Sequence, residues 1–295
     1  MGSTPYGVGA AVLMVLLAGC GAPDQPPLDG PPGPVREHWA LSHRVPESST
    51  MRVVGQRMDH FSETTEVLLR SDRDGQSARC SVTVDAPGQG GPENMVGEQL
   101  PATVQGGPAL RNGPGAEGDY LIWQRADGRW ASSQCSEDGQ QVFQDRLAEA
   151  VETKPSSIDL PLALRPLPAG YDLSSISQDR STGLTRIDLG PAGPDPDGSE
   201  RDLVVTFDDD PVDEEGRPIT VGGRPATLDE TPRDPDVCLV VQGHHVCVGT
   251  SQSDTGPYPD RSGEIPTLLA VAEALRFPDD LGERSTWFPA EEVFG

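Results

Sequence analysis

The chain has 295 residues, enough for one large or two ordinary domains, and its 30 Pro and 34 Gly keep regular elements short. At 35% hydrophobic and 5% aromatic the core is modest. A formal net charge of −25 repels phosphate backbones and anionic lipid headgroups alike, which excludes nucleic acid as an expected partner and electrostatic residence at a membrane.

In chain order, Tyr6 to Gly19 are apolar or small, a run too short to cross a bilayer as a helix and suited to a signal-peptide core. Leu17-Ala18-Gly19-Cys20 follows, and it resembles the lipobox of bacterial lipoproteins at each of its positions. No Lys or Arg precedes it, so the usual positive n-region is missing. The resemblance implies that residues 1–19 are a signal peptide, that the Cys20 thiol receives a diacylglyceryl group, and that the mature chain begins there. Two or three acyl chains, such as palmitate, hold a protein stably where one holds it marginally. Residues 20–34 then read as a tether. The prolines of GAPDQPPLDGPPGP favour extended polyproline geometry, a reach of about 40 Å. The expectation is a lipid-anchored protein on the extracytoplasmic side of the cell membrane.

Beyond the tether the chain aligns with itself. Residues 45–56 match 167–178, 81–87 match 204–211, 103–109 match 220–226, 121–124 match 239–242, and 143–150 match 265–272, always in the same order. This divides the mature chain into repeat 1 (35–156) and repeat 2 (157–295). Each begins with strands of period-two or continuous apolar character: Met51–Gln56, Glu66–Arg70 and Arg79–Val84 in the first, Tyr171–Ile176, Thr185–Leu189 and Asp202–Phe207 in the second. A short strand carrying V-x-G-x-P-A comes next, then a hairpin (Tyr120–Ser133; Val237–Thr250). A helix closes each repeat, with stripes at Val142, Phe143, Arg146, Leu147, Ala150 and Val151, and at Ile265, Leu268, Leu269, Ala272 and Leu275. The expected fold class is α+β: two tandem repeats, each an antiparallel sheet with one C-terminal helix packed on a face.

Five cysteines are odd for an exported protein, but Cys20 removed for lipidation leaves four, an even set that reads as two disulfides. In DVCLVVQGHHVCV a two-residue turn at Gln242-Gly243 sets Cys238 opposite Cys247 at a non-hydrogen-bonded position, where Cα atoms approach to about 4.5 Å. That pairing leaves Cys80 for Cys135.

Candidate sites are few. GPGAEG (113–118) satisfies G-x-G-x-x-G, yet a strand follows it rather than a helix and Pro114 interrupts the glycines, so a loop is expected instead of a dinucleotide site. His244 and His245 are neighbours on a strand and point to opposite faces. His38, His43 and His60 have no carboxylate or Cys at ligand spacing. The acidic runs 207–215 and 195–200 fail the EF-hand pattern and read as solvated charge, weak Ca²⁺ binding being the alternative. Trp123 and Trp130 flank a turn, either stacked across strands or forming an exposed aromatic binding patch. No catalytic, cofactor-binding or metal-ligating set stands out, so a non-enzyme without cofactor is expected.

V-x-G-x-P-A followed by a Trp-containing hairpin and a closing helix resembles extracytoplasmic sensor modules of anti-sigma-type regulators and small lipoproteins of unknown function. Repeat 2 departs from it with Val241 where Trp123 stands in repeat 1. The resemblance implies a non-catalytic binding or sensing role in the cell envelope, contacting an envelope protein or ligand. The alternatives are a carrier of lipid or another apolar ligand in a cavity between the repeats, and an envelope hydrolase whose site is assembled from distant residues.

Overall fold

Alternation governs the chain from residue 51 onward. In Ser62–Arg70 and Ser77–Asp85 nearly every second residue is buried, because period-two placement of Val, Leu and Thr gives a strand one apolar and one polar face. The computed structural model describes residues 38–71, 75–95, 97–112, 120–136, 141–192, 202–208, 216–251 and 260–294.

Within them the strands are β1 (Met51–Asp59), β2 (Ser62–Arg70), β3 (Ser77–Asp85), β4 (Gln99–Val104), β5 (Gly107–Asn112), β6 (Tyr120–Gln124), β7 (Trp130–Cys135), β8 (Asp159–Leu160) and β9 (Ala163–Leu164). There follow β10 (Tyr171–Asp179), β11 (Thr185–Pro191), β12 (Leu203–Asp208), β13 (Arg217–Val221), β14 (Arg224–Asp229), β15 (Asp236–Val241), β16 (His244–Thr250), β17 (Leu275–Arg276) and β18 (Phe288–Pro289). The helices are α1 (Gln141–Ala150), α2 (Ile265–Ala274) and α3 (Ala290–Phe294).

Fourteen strands make a single antiparallel sheet in the order β13-β14-β15-β16-β12-β11-β10-β1-β2-β3-β7-β6-β5-β4. Its halves meet where β1 pairs with β10, from Gly55 opposite Asp179 to Asp59 opposite Ser175. Outward from that seam the strands follow the same sequence of moves on both sides. Each seam strand carries a register shift, between Val53 and Gly55 and between Leu173 and Ser175. Bulges of this kind increase local twist and bend a strand.

The α+β expectation is corrected here. The fold is mostly β, at 50% strand and 15% helix, with one large sheet rather than two repeats each built of a sheet and a helix. The physical reason is the seam. Had β1 and β10 stayed unpaired, each would have exposed a row of backbone donors and acceptors, and pairing satisfies both rows at once. The helices are too short to form a layer of their own. The V-x-G-x-P-A element also differs from the expected single strand: it is the turn of a hairpin, β4 to β5 and again β13 to β14. Gln105-Gly106 and Gly222-Gly223 all have positive φ, the requirement of a two-residue turn between twisted strands.

Two apolar clusters fill the interior. One gathers Val67, Leu69, Val82, Leu121 and Trp123 beneath Leu147 of α1. The other packs Ile176, Ile187, Phe207 and Leu239 against Leu268 and Val271 of α2. Trp39, Leu41 and Met58 belong to the second cluster although its remaining members begin only at Ile158. Residues 152–164 are tied down as well: Ser156 exchanges backbone hydrogen bonds with Leu41, and β8 pairs with β18 and β9 with β17. The described residues belong to one compact unit.

Candidate functional site

Several sequence-derived candidates lie outside the described residues: Cys20 with the signal peptide and tether, GPGAEG, and the acidic residues 195–200 and 209–215. Of the last run, Phe207 is core and Asp208 sits opposite His245.

The four remaining cysteines form two disulfides, Cys80–Cys135 between β3 and β7 and Cys238–Cys247 between β15 and β16. Gln242 and Gly243 make the second hairpin's turn, with φ of 53° and 87°. Val241 faces His244, Val240 faces His245, and Leu239 faces Val246, so Cys238 meets Cys247. The Cys80–Cys135 pair faces the core, while Cys238 and Cys247 alternate with core residues and point to the opposite face.

Trp123 and Trp130 do not form a patch or a stack. Trp123 is 4% exposed within the first core cluster and opposes Ala131, whereas Trp130 opposes Gln124. A step of one residue between the two pairs puts the indoles on opposite faces of the sheet.

The histidines scatter. His38 is exposed, His60 meets the Trp39 edge at 5.6 Å, and His244 stacks on Phe207 at 5.1 Å. Among the described residues no three His, Cys, Asp or Glu side chains converge as a metal site.

His43 is different, because it lies at 0% exposure inside a charged cluster. Its Nε2 shares a hydrogen bond with Thr65 Oγ1 at 2.9 Å, and its Nδ1 lies 3.5 Å from Glu63 Oε2. Glu63 Oε2 accepts hydrogen bonds from both the backbone N–H and the hydroxyl of Ser42, each at 2.6 Å. Arg125 closes the other side of Ser42, donating from Nη1 to its Oγ at 3.0 Å and from Nη2 to its carbonyl at 2.9 Å. Arg129 bridges Glu63 Oε1 at 3.2 Å and Asp127 at 2.8 Å. Burial works against the charge on Asp127, yet hydrogen bonds from Arg129 and the nearby Arg125 hold its carboxyl below the usual range. Burial pushes Arg125 downward, with Asp127 opposing.

Hydroxyl, imidazole and carboxylate thus stand in the order of a nucleophilic triad, Thr65–His43–Glu63, but all three are buried at 3% exposure or less. No solvent-borne substrate reaches that hydroxyl. What the arrangement does is clamp Ser42, in the segment that leads from the N-terminal region into the sheet. Nothing in LSHRV signalled this, since Arg125 stands 83 residues away.

Solvent-facing recesses lie on the polar face of the sheet. A cleft of about 280 Å³ straddles the seam, lined by Gln56, Arg57, Glu66, Arg79, Gln178 and Asp179. Arg79 is hydrogen-bonded to Glu66 and 3.8 Å from Asp179, and the hydrogen bond to Glu66 is the main reason its guanidinium is held more firmly charged. A second recess of about 330 Å³ lies beside the outer disulfide, among Arg186, Thr206, Asp234, Asp236, Cys247 and Thr250. A third, near 190 Å³, borders Glu47 to Arg52.

No protein-family model matches the chain, and no curated protein matches it.

Proposed function

We propose that the chain is an exported lipoprotein, anchored in the cell membrane through a diacylglyceryl group on Cys20, with a non-catalytic binding or sensing role on the extracytoplasmic side. The observation that supports this most is cysteine parity. Both disulfides together use Cys80, Cys135, Cys238 and Cys247, so Cys20 alone is left over, and it sits in Leu17-Ala18-Gly19-Cys20. The seam cleft, which offers both signs of charge, is the surface best suited to a polar envelope partner.

A lipid carrier needs an enclosed apolar cavity. The apolar clusters among the described residues pack side chain against side chain, and the recesses above open to solvent beside charged residues such as Glu66, Arg79 and Asp179. That favours contact at the surface over transport inside.

The test is metabolic labelling with a palmitate analogue in a host that lipidates its own proteins. The parent chain is expected to take label and run as the trimmed form, and Cys20→Ala to take none and keep its leader. Equal labelling of the two, or none in either, overturns the reading.

A further inference from the structure

Among the described residues the sheet is open, with two edges that pair with no further strand, β4 and β13. Both are exposed: in β4 only Val104 is buried, and in β13 only Val221. An unguarded edge is a template for strand addition, and proteins guard edges with charge, bulges, cover or proline. Charge is scarce here. Gln99–Val104 has no charged residue, and Arg217–Val221 has one, at its start. Leu100, Ala102 and Val104 line one side of β4, as Ile219 and Val221 do in β13, which is the composition that aggregates when exposed.

Register shows where the prolines point. In a hairpin with a two-residue turn the flanking pair exchanges hydrogen bonds, and the pairs then alternate. For β4 the turn is Gln105-Gly106, so Val104 opposite Gly107 is hydrogen-bonded, Thr103 opposite Pro108 is not, Ala102 opposite Ala109 is, and Pro101 opposite Leu110 is not. At a non-hydrogen-bonded position the backbone nitrogen faces away from the partner strand. Pro101 therefore faces the open edge. The same count from Gly222-Gly223 places Pro218 opposite Thr227 and again outward. Pro108 and Pro225 face the other way, toward β6 and β15, and each stands one residue beyond the end of that ladder, which begins at Ala109 and Ala226.

We propose that Pro101 and Pro218 are edge guards: each removes an outward donor of its strand and sets a pyrrolidine ring where an added strand would lie, so that strand addition is closed off at both ends of the sheet. A strand arriving at either edge loses a ladder hydrogen bond and meets the ring Cδ. Partners then engage the faces and loops of the molecule rather than its edges.

The symmetry of the opened edges makes the test specific. One unguarded edge pairs with its own copy and closes as a dimer, whereas two unguarded edges allow open-ended growth. The full chain is purified in detergent with Pro101→Thr, with Pro218→Thr, and with both, and its protein mass is measured by light scattering over a concentration series. Relative to the unmodified chain, each single variant is expected to approach twice the mass and the double variant to exceed it with rising concentration. Pro108→Ala with Pro225→Ala, in the neighbouring strands, is expected to leave the mass unchanged. Far-UV circular dichroism checks that the sheet is formed, and Pro101→Ala with Pro218→Ala restores both donors without a branched side chain should the Thr forms not fold. A folded double variant whose mass ratio stays at one throughout overturns the proposal, as does association of the Pro108 and Pro225 control.

Discussion

At the scale of single residues, the Ser42 clamp has the largest energetic leverage. Glu63 is 3% exposed and satisfies an N–H, a hydroxyl and a guanidinium together. Removing one partner of a buried charged set leaves the others uncompensated, which costs about 3–5 kcal/mol. Glu63→Ala is expected to lose stability on that scale in a denaturant melt, and Glu63→Gln less, because an amide oxygen still accepts from Ser42. Equal stability of all three chains would mean the cluster is idle. Asp85 carries a smaller lesson with a definite sign. Its carboxylate lies so close to Gly90 that a Cβ there would stand 1.9 Å from Oδ2, and Gly90 also has φ of +67°. Burial raises the Asp85 carboxyl above the ordinary value of about 3.9. The folded chain therefore holds that proton more tightly than the unfolded chain, and ionising Asp85 weakens folding at neutral pH. Asp85→Asn is expected to melt higher than the parent at pH 7, with the advantage vanishing below the ordinary carboxylate value, where both states are protonated. A difference that does not change with pH would contradict the cause given.

At the scale of elements, local rules carried far where the signal was local. The β15–β16 hairpin was legible residue by residue, because a two-residue turn fixes register and two cysteines nine apart fall opposite each other. The helices at 141–150 and 265–274 were legible from their apolar spacing, except that Val142, expected in the first stripe, is 79% exposed. The V-x-G-x-P-A element departs from the single strand expected because its Gly106 and Gly223 adopt positive φ and turn the chain. The one-residue step between the Trp123–Ala131 and Gln124–Trp130 pairs sends the two indoles to opposite faces, so neither the cross-strand stack nor the exposed patch forms. Gln105 at the first turn went unnoticed: its side chain donates to the carbonyls of Ala148 and Val151 and so caps α1. The disulfides, as cross-links of elements, give the prediction for this scale. In the loop-entropy model, opening the Cys80–Cys135 loop of 55 residues destabilises by about 4 kcal/mol, and opening the nine-residue Cys238–Cys247 loop by about 2.7 kcal/mol. Paired Cys→Ser changes are expected to lower the melting midpoint in that order. The reverse order would contradict the loop-entropy account of the two cross-links.

At the scale of the whole molecule, the seam was hidden from the sequence. β1 and β10 are more than a hundred residues apart, and the strip that pairs, Gly55 to Asp59 with Ser175 to Asp179, has no pattern that marks it as an edge about to be joined. Arg180 strengthens the join, its backbone N–H bonding Val54 and its guanidinium Gln56 at 2.7 Å, contacts that only the assembled fold brings together. The self-alignment showed that the two stretches correspond, but correspondence does not say whether like edges face solvent or each other. A long antiparallel sheet with one face covered by two apolar clusters and the other left largely polar presents a broad surface. The proposed function, by contrast, rests on the anchor. Intact-mass spectrometry of the chain isolated from its native host tests it most directly: the account predicts a polypeptide starting at Cys20, heavier by its lipid and lighter by the four hydrogens of two disulfides. A chain that retains Met1, or that carries no added lipid, would contradict it.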